Sequence, residues 1–488
     1  MAYGLSKSKL MAYHQCHRKL WLGTHRKDLI PEEYQNQVAF TQGHAVGAAA
    51  RALIPGGLLI ETRDLAEARR VTAEALASGK RQPLFEATFS HAGCLVQADA
   101  LIPDGSGYRL CEVKSSGKVK PEHAPDCAIQ TWVSRGAGLN VTRTELVHLN
   151  TDFVYRGNGD YQGLFTHEVM DDKIESLLKL VPEWIRESQE ILERKEPKIA
   201  TGAHCHKPYD CPFIEHCSKG EPAGPDYPVT ILPNSGGKAL ARQLQAQGYE
   251  DLRKVPERLI PDGLFKRIWA ASRSGQALLE PGAAKIITAL PYPRYYFDFE
   301  TIGFPVPTWI GTRPWQQVPF QWSCHIEQKD GSAEHEEFLD LSGDNPARAC
   351  AKSMLAALGS KGAIIVYYES FEKTRIRELA EMYPDLAARL LALLPRVVDL
   401  LPITRDHYYH PAMMGSFSIK NVIPTIESEM AYSDSDDIND GSMAQEAYLE
   451  ATAASTTIQI RNKLQERLLR YCRKDTLVML RICNHYRQ

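Results

Sequence analysis

An acidic pattern in the first half of the chain has the residue types and the spacing of a hydrolytic metal site. Asp99 lies near the end of one predicted strand, and Glu112 and Lys114 lie two residues apart on the next. Alternate residues on a strand share a face, so Glu112 and Lys114 can flank one site with Asp99 beside them. Carboxylate oxygens suit Mg²⁺ or Mn²⁺, and a lysine can orient or activate a water on the metal. The pattern predicts phosphodiester hydrolysis; its alternative is a surface ion pair.

A second acidic pattern lies in the C-terminal part of the chain. Asp298 and Glu300 are two residues apart in the predicted strand YYFDFET, and Tyr471 and Asp475 are four apart in a predicted terminal helix. Each pair shares one face of its element. Carboxylates that converge from a strand and a helix can hold two metal ions about 4 Å apart, which clamp the attacking and leaving oxygens of a phosphodiester. The pattern predicts a two-metal site in which Tyr471 orients water; its alternative is a solvated strand end.

The eleven cysteines divide into one cluster and a set of single residues. The cluster has three cysteines within thirteen residues and a fourth near the N-terminus: Cys205, Cys211, Cys217 and Cys16. Thiolates select zinc or an iron–sulfur cluster, so these four can form one metal site. The alternatives are ordinary buried thiols, or zinc bound with the help of His204, His206 or His216. The single cysteines are predicted to be reduced core thiols: Cys94, Cys111, Cys127, Cys324, Cys350, Cys472 and Cys483.

The composition is that of a large globular protein. The 488 residues, of which 43% are hydrophobic, are enough for two or three domains. Fifty-seven basic and 60 acidic residues give a formal charge of −3, which excludes a generic basic coat and requires any nucleic acid to bind at a local site. We find neither a run of about 18 apolar residues nor a secretory signal. We therefore expect a soluble, cytoplasmic protein with reduced thiols and no membrane partner.

The elements that must position these residues alternate between helical and strand patterns, which predicts an α/β fold. Residues 1–222 contain a hairpin that turns near Gly105 and a long amphipathic helix over 172–195. Residues 223–289 begin in a Pro- and Gly-rich linker and indicate a small helical connector. Residues 290–488 return to strands and helices, with an acidic loop over 427–442 that is predicted to be a solvated surface.

The first pattern resembles the RecB-like branch of the PD-(D/E)XK nuclease superfamily. A segment with Gly43 and His44 precedes the hairpin, and Gln130 follows it on a predicted helix. The resemblance implies a restriction-endonuclease-like domain over residues 1–222. It assigns metal binding to the carboxylates, catalysis to the lysine and support to the glutamine: Asp99, Glu112, Lys114 and Gln130. The family places its histidine about four residues after the glycine, where this chain has Gly47, so His44 is either a site residue or a structural histidine.

The second pattern resembles the Tyr-containing DEDD exonucleases, which have a DnaQ-like, ribonuclease-H-like fold. The resemblance implies such a domain over residues 290–488, with its first and third motifs at Asp298, Glu300, Tyr471 and Asp475. The second motif is usually Asn-x2-Phe-Asp and appears here as Glu369-Ser370-Phe371-Glu372, so that Glu372 replaces Asp and Glu369 replaces Asn. Glutamate is one methylene longer than aspartate, and we expect it to shift or weaken the second metal. Asp399 is a further carboxylate that can enter the site, although its family counterpart is peripheral.

The cysteine arrangement resembles the iron–sulfur exonucleases of the AddB type and those linked to CRISPR adaptation. The resemblance implies a structural four-iron, four-sulfur cluster that joins the two ends of the nuclease domain, with the ligands Cys16, Cys205, Cys211 and Cys217. Joining Cys16 to Cys205 would close a loop of nearly 190 residues. By the argument used for disulfides, this would remove about 4–5 kcal/mol of chain entropy from the unfolded state. The family more often has a Cys-x2-Cys-x5-Cys spacing, and this chain has x5 twice.

Together the resemblances imply a Mg- or Mn-dependent nuclease in DNA repair or in defence against foreign DNA. It is expected to be an exonuclease that acts on DNA ends or single strands, with RNA as an alternative substrate and a helicase or defence-system partner. A second interpretation is a nucleic-acid-binding subunit with one or both nuclease folds degenerate. A third is a zinc-dependent RNA-binding or RNA-processing factor, which the identity of the metal would distinguish.

Overall fold

The computed structural model describes residues 4–31, 34, 37–432 and 438–488, with the side chains of 37–41 left out. Residues 433–437 of the predicted acidic loop lie outside this range. The chain forms two compact units: Met1–Pro222 with Phe304–Gln316, and Ala223–Gly303 with Gln317–Gln488. Each unit has a mixed sheet with helices, so the predicted α/β class is confirmed.

A mixed sheet forms the centre of the first unit. Its strands are β1 (Leu5–Ser6), β2 (Leu58–Leu59), β3 (Leu84–His91), β4 (Cys94–Asp104), β5 (Gly107–Lys114), β6 (Val141–Leu149) and β7 (Phe165–Val169). They are ordered β2-β3-β4-β5-β6-β7, with β1 paired to β4. Strands β3, β4 and β5 are antiparallel neighbours, and β6 runs parallel to β5. The register pairs Ala100 with Cys111, which sets Asp99 beside Glu112.

The helices of the first unit cover this sheet with apolar faces. They are α1 (Lys7–Gln15), α2 (His17–His25), α3 (Gln37–Ala52), α4 (Leu65–Ala77), α5 (His123–Gly136), α6 (Asp171–Leu178), α7 (Val181–Glu193) and α8 (Ile214–Ser218). Helix α5 packs on β3, β4 and β6 through buried Ile129 and Val133. The single helix predicted over 172–195 is wrong, because α6 ends before Pro182, whose ring fits only the first turn of the next helix.

The second unit is built on a five-stranded mixed sheet and a two-stranded one. Its strands are β8 (Leu278–Leu279), β9 (Arg294–Ile302), β10 (Val318–Glu327), β11 (Ala333–Leu339), β12 (Ala363–Val366), β13 (Val397–Asp399) and β14 (Tyr408–Tyr409). The larger sheet has the order β11-β10-β9-β12-β13. Strands β11, β10 and β9 are antiparallel, whereas β12 and β13 run parallel to β9.

Helices and a shared core complete the second unit. The helices are α9 (Asn234–Ala246), α10 (Leu264–Ser274), α11 (Pro281–Ala289), α12 (Ala347–Ala357), α13 (Glu369–Met382), α14 (Pro384–Leu391), α15 (Leu400–His407), α16 (Ile419–Val422), α17 (Gly441–Thr452) and α18 (Ile458–Tyr486). Residues 223–289 pack into one core with the C-terminal part, since Leu232 and Trp269 share it with Tyr296, Ile365 and Val478. Among the described residues, no helix combines the length and apolar character needed to cross a membrane.

Candidate active sites

The first site forms where β4 and β5 meet α5. Glu112 is 1% exposed, and its Oε1 accepts a hydrogen bond from Lys114 Nζ at 2.5 Å. Gln130 Nε2 donates to the other carboxylate oxygen of Glu112. Asp99 Oδ2 accepts from the backbone N–H of Val113 at 2.6 Å. The structure therefore brings together all four residues that the sequence pointed to in this unit.

Two residues that the sequence interpretation missed complete the charge pattern of the first site. Lys7 Nζ donates to Glu112 Oε1 at 2.7 Å and lies 3.2 Å from Asp126 Oδ1. Lys114 Nζ donates to Asp126 Oδ2 at 2.6 Å. Asp126 precedes Gln130 by one helical turn, a spacing that could have indicated it. Lys7 is 105 residues from Glu112 and has no local signal.

The two lysines set the ionisation of the first site. Burial alone would raise the pKa of Glu112, but Lys7 and Lys114 outweigh it and hold that pKa well below its usual value. Burial would likewise lower the pKa of each lysine, but Glu112 and Asp126 raise both. The pKa of Asp99 is raised by burial and by the neighbouring Glu112 charge. The site thus holds an ionised Glu112 between two ammonium groups, while the pKa of Asp99 stays raised although Lys7 and Lys114 oppose the shift.

A cavity of about 400 Å³ opens beside Asp99 and Lys114. Glu86, His44 and Arg51 line it as well. Glu86 has φ 58° and is skipped in the register between β3 and β4, a backbone irregularity of the kind that often re-aims a side chain at a functional site. Burial raises the pKa of Glu86, and Arg51 opposes this. The two carboxyl groups on this cavity, Asp99 and Glu86, are the hard oxygen donors that fit Mg²⁺ or Mn²⁺.

The second site lies in the second unit, where β9 faces α18. Ligand atoms of Asp298, Glu300 and Cys472 all lie within 4.8 Å of one another. Cys472 is buried, as predicted for a core thiol, but it borders this site. Asp475 lies one turn after Tyr471 on α18, and the Asp475 charge adds to burial in raising the pKa of Tyr471. The four residues of the first and third motifs are therefore brought together.

A loop residue and a lysine that approach from outside the predicted motifs border the second site. The Tyr432 hydroxyl donates to Asp475 Oδ1. Lys420 Nζ donates to the carbonyl of Asn439 and lies 6.0 Å from the centre of the Tyr471 ring. Its charge lowers the pKa of Asp475 and so opposes the effect of burial. Tyr432 was missed because its loop has no pattern that ties it to α18.

The carboxyl groups of the second site raise one another's pKa values. Burial is the largest cause for Asp298 and Glu300, and the Asp475 charge adds to it, so that both pKa values lie well above normal. Burial raises the pKa of Asp475 to about 6, even though Tyr432 and Lys420 oppose the shift. Burial raises the pKa of Glu372 to about 8. These acids are costly to ionise together without a cation.

The second motif enters the site through one of its two glutamates. Glu372 is 2% exposed and hydrogen-bonds to Asp298. Its Oε2 is a buried oxygen with no hydrogen-bond partner in the described part of the chain. Glu369 instead points outward and pairs with Lys373 at 2.5 Å, with its side chain 40% exposed. An orphaned buried oxygen beside crowded carboxylates is the donor set that Mg²⁺ or Mn²⁺ satisfies.

Asp399 holds the backbone around the second site. Its Oδ1 accepts from the N–H of Leu401 and from that of Tyr368, both at 2.9 Å. The first bond caps α15, and the second holds Tyr368 at φ 82°. Its charge also raises the pKa of Glu372, after the larger effect of burial. Asp399 therefore positions the site from outside it.

The four clustered cysteines converge in the first unit. All are free thiols; two are buried and two are half-buried, and one small cavity is lined by Cys16, Cys205, Cys211 and Cys217. Arg18 and Lys19 line the same cavity and place positive charge beside the sulfurs. Burial raises the pKa of Cys217 to about 11, so a metal would have to displace a proton there.

The space among these thiols bears on which metal they can hold. The cavity measures about 10 Å³, close to the room of one water-sized sphere. Among the described residues, no three ligand atoms of this group lie within 4.8 Å of one another, although sulfurs that bind one zinc ion at about 2.3 Å would have to be that close. Of the predicted auxiliary histidines, His204 lies beside a thiol, with Nε2 3.6 Å from Cys205 Sγ. His206 pairs with Asp210 at 2.6 Å, and His216 pairs with Glu196 at 3.4 Å.

Comparison with known proteins gives limited similarity. Residues 295–418, which carry β9 to β14, match a family described as a domain of unknown function (DUF2779). The chain is 25% identical over 170 residues to the uncharacterized protein UU173 of Ureaplasma parvum serovar 3, which covers 32% of this chain. The chain spans about a quarter, 24%, of the length of that relative. The crystal structure of SSO0001 aligns with 44% of this chain and 85% of its own at 14% identity, with a TM-score of 0.24.

Proposed function

We propose that this protein is a Mg- or Mn-dependent nuclease that hydrolyses DNA, at ends or on single strands. The observation that carries the proposal is the second site, where Asp298, Glu300, Glu372 and Asp475 are buried together. Such crowding costs free energy in the folded protein unless a cation neutralises it. Divalent metal bound there would supply charge for the attacking and leaving oxygens of a phosphodiester.

In the second site, Asp298, Glu300 and Asp475 are the proposed metal ligands, with Glu372 beside them. The Tyr471 hydroxyl keeps its proton, because burial first and then the Asp475 charge raise its pKa far above the usual value. A neutral hydroxyl at this place can donate to or accept from the attacking water and so orient it. The strand order β11-β10-β9-β12-β13, antiparallel on one side of β9 and parallel on the other, supports a ribonuclease-H-like domain.

In the first site, Asp99 and Glu112 are the proposed metal ligands. Gln130 holds the Glu112 carboxylate in place through its hydrogen bond. Lys114 is an ammonium in the structure and can stabilise negative charge on a phosphate. The antiparallel β3-β4-β5 unit followed by parallel β6, with α5 packed across it, supports a PD-(D/E)XK domain.

For the cysteine site, we propose a four-iron, four-sulfur cluster on the strength of the family resemblance. The convergence of one cysteine from the start of the unit with three from its end supports a structural staple. Zinc is the second candidate, because thiolates select it as well. The as-purified protein should be brown and absorb near 400 nm; a colourless protein with one zinc per chain contradicts the cluster.

The biological setting proposed is DNA repair or defence against foreign DNA, with a helicase or defence-system partner. It rests on the resemblance of both domains to nucleases of those pathways. RNA is the alternative substrate that cleavage assays must include.

The test of the proposed function is hydrolysis by single-site variants. Lys114→Ala and Asp298→Ala are compared with wild type on end-labelled single-stranded and duplex DNA and on RNA, with Mg²⁺ or Mn²⁺. The matched controls are Lys80→Ala and Asp344→Ala, which change exposed residues of the same types and should leave activity unchanged. Full activity of Lys114→Ala contradicts the role of the first site. Full activity of Asp298→Ala on every substrate makes the second unit a binding module.

A nucleic-acid-binding subunit is the second candidate function. Glu372 in place of the expected aspartate favours it for the second unit, because its carboxyl group is engaged with Asp298. In that case, wild type would bind labelled DNA but release no labelled nucleotide with either metal. If wild type hydrolyses DNA and both Lys114→Ala and Asp298→Ala lose that hydrolysis, the binding-subunit hypothesis is contradicted.

A further inference from the structure

An open groove of about 560 Å³ adjoins Lys114 in the first unit. Four separate segments form its walls, and one of them contributes Thr151, which follows β6. Residues 115–120 follow β5, Tyr209 comes from the loop between Cys205 and Cys211, and Trp315 comes from residues 304–316. Because four segments that are distant in sequence line the groove, it exists only in the folded chain.

The groove is positively charged along one wall. Lys114, Lys118 and Lys120 line it, and among its described lining residues there is no carboxylate. Lys120 is held by its backbone N–H, which donates to Nδ1 of His123 at 3.1 Å. Lysines in a row beside an open channel attract a phosphate backbone and release its counterions on binding.

Two aromatic side chains on this groove are fixed in place. Tyr209 is 58% exposed, yet its carbonyl accepts from Gln15 Nε2 at 2.7 Å and its hydroxyl donates to Glu122 at 3.3 Å. Lys120 Nζ lies 5.8 Å from the centre of its ring. Trp315 Nε1 donates to the carbonyl of Ser115 at 2.6 Å. Aromatic rings that are held at the surface beside lysines are the stacking platforms that single-stranded nucleic acids use.

The dimensions of the groove favour one strand over two. Its volume lies within the range of about 300–1,000 Å³ that holds a small molecule, which is the scale of nucleotides and not of a duplex. Gly117 lets the chain pass close to Thr151 in the lining of the groove, because a Cβ there would lie 2.5 Å from Cγ2 of Thr151. In an intact duplex the neighbouring base pairs cover the faces of each base, so a base that stacks on a side chain must come from a single strand.

We propose that this groove binds a single strand of nucleic acid, with Tyr209 and Trp315 stacking on bases and Lys118 and Lys120 contacting phosphates. A strand bound in the groove passes Lys114, so single-stranded nucleic acid would be the substrate of the first active site. This conclusion about the substrate rests on the proposed function. DNA and RNA share the stacking and phosphate chemistry. Tyr209 lies in the loop between Cys205 and Cys211, so binding of the strand depends on that loop being ordered.

Binding without hydrolysis tests this proposal. The probe is a fluorescent oligodeoxythymidylate, measured by anisotropy on the full chain without added divalent metal over a series of salt concentrations. Tyr209→Ala should weaken binding about tenfold, while Tyr209→Phe, which keeps the ring, should bind within twofold of wild type. Lys118→Ala with Lys120→Ala should lower the slope of log affinity against log salt by about 1.4, since each phosphate contact on a single strand adds about 0.7.

Controls and a site-specific readout separate the groove from other binding surfaces. Lys80→Ala with Lys179→Ala removes the same charge from exposed positions of the same unit and should leave the slope unchanged. An oligonucleotide carrying 5-iododeoxyuridine should crosslink to the peptide that contains Tyr209 or Trp315. Competition by oligouridylate and by oligothymidylate at equal nucleotide concentration identifies the preferred sugar, and either strand should compete better than a hairpin duplex.

Several results would overturn the groove. These are an equal loss of salt slope in both double variants, crosslinks confined to peptides elsewhere, Tyr209→Phe as weak as Tyr209→Ala, or the duplex as the best competitor. Failure of the proposed function looks different: the strand binds through the groove as described, but no metal produces cleavage. Conversely, cleavage lost in Lys114→Ala but unchanged in the groove variants contradicts the groove alone.

Discussion

The two acidic sites of this protein differ in how their negative charge is balanced. In the first unit, Glu112 is ion-paired at 2.7 Å to Lys7 and at 2.5 Å to Lys114. In the second unit, within the described residues, Asp298, Glu300 and Asp475 form no ion pair with a lysine or arginine, and Lys420 and Lys474 lower carboxyl pKa values only from a distance. The first site carries its own counter-charges, whereas in the second site that role falls to the divalent cation of the proposed function.

Because of this difference, the charges of the two sites affect the stability of their units in different ways. A buried carboxylate between two lysines is stable in isolation but depends on every member of the network, because removing one leaves a buried charge unpaired. Crowded carboxylates without lysines destabilise the metal-free fold and gain the most from a divalent ion. Replacing a carboxylate with the amide of the same shape should therefore destabilise the first unit and stabilise the second in the absence of metal.

The largest expected effect is the loss of charge balance in the first site. Glu112→Gln should destabilise the first unit by about 3–5 kcal/mol, because Lys7 and Lys114 lose the partner that offsets their burial. The measurement is hydrogen exchange of peptides within 84–149 at increasing urea concentration. Glu193→Gln, at an exposed position, is the control and should change stability by less than about 0.5 kcal/mol. A neutral Glu112→Gln would mean that the lysines are not held by this carboxylate.

The second prediction compares two glutamates on one helix. Glu372→Ala should lower the activity of the second site at least about tenfold, close to 1.4 kcal/mol, because it removes the carboxyl group that contacts Asp298. Glu369→Ala should leave activity unchanged, because Glu369 faces solvent and pairs with Lys373. Hydrolysis is measured in the Lys114→Ala background so that the second unit acts alone. Equal effects of the two substitutions would remove Glu372 from the site.

The third prediction is that an amide substitution in the second site stabilises its unit, whereas Glu112→Gln destabilises the first unit. In metal-free buffer at slightly alkaline pH, Asp298→Asn should stabilise the second unit by about 1 kcal/mol, because one repelling charge is gone. Millimolar Mg²⁺ or Mn²⁺ should stabilise wild type and have little effect on Asp298→Asn. Hydrogen exchange in peptides of β9 and α18 separates this from changes in the first unit. Destabilisation by Asp298→Asn without metal would show that the acids are already compensated.

The sequence was informative where a site is built from neighbours on one element. Glu112 and Lys114 share a strand face, and Tyr471 and Asp475 share a helix face, so their spacing predicted their proximity. It was silent where distant segments meet: Lys7 reaches Glu112 across 105 residues, and no pattern marks this contact. The fold class followed from alternating patterns, but the addition of residues 304–316 to the first unit has no sequence signal, because docking depends on tertiary packing.

The smallest expected effect concerns acid sensitivity, which again differs between the units. His325 and His335 of the second unit have pKa values lowered to about 4, by burial first and then by nearby charges that include Arg473. In the first unit, the His167 hydrogen bond is the largest cause that lowers the pKa of Glu145 to about 2. A histidine with a depressed pKa contributes stability above its unfolded value of about 6.5 and loses it as pH falls toward 4. Glu145 contributes stability above about 4.5 and loses it only below that.

Between pH 6.5 and 4.5 these two histidines should therefore make the second unit lose stability while Glu145 still supports the first. His335→Gln keeps a partner for Ser323, which lies 2.9 Å from His335 Nε2, but cannot take up a proton. Over this pH range the variant should lose about 1 kcal/mol less than wild type, a value discounted because the ring is partly solvated. The measurement is the difference between wild type and variant in hydrogen exchange of β10 and β11. Identical pH slopes would show that His335 is protonated as readily in the folded chain as in the unfolded one, and the acid sensitivity of the second unit would then have to arise outside this pair.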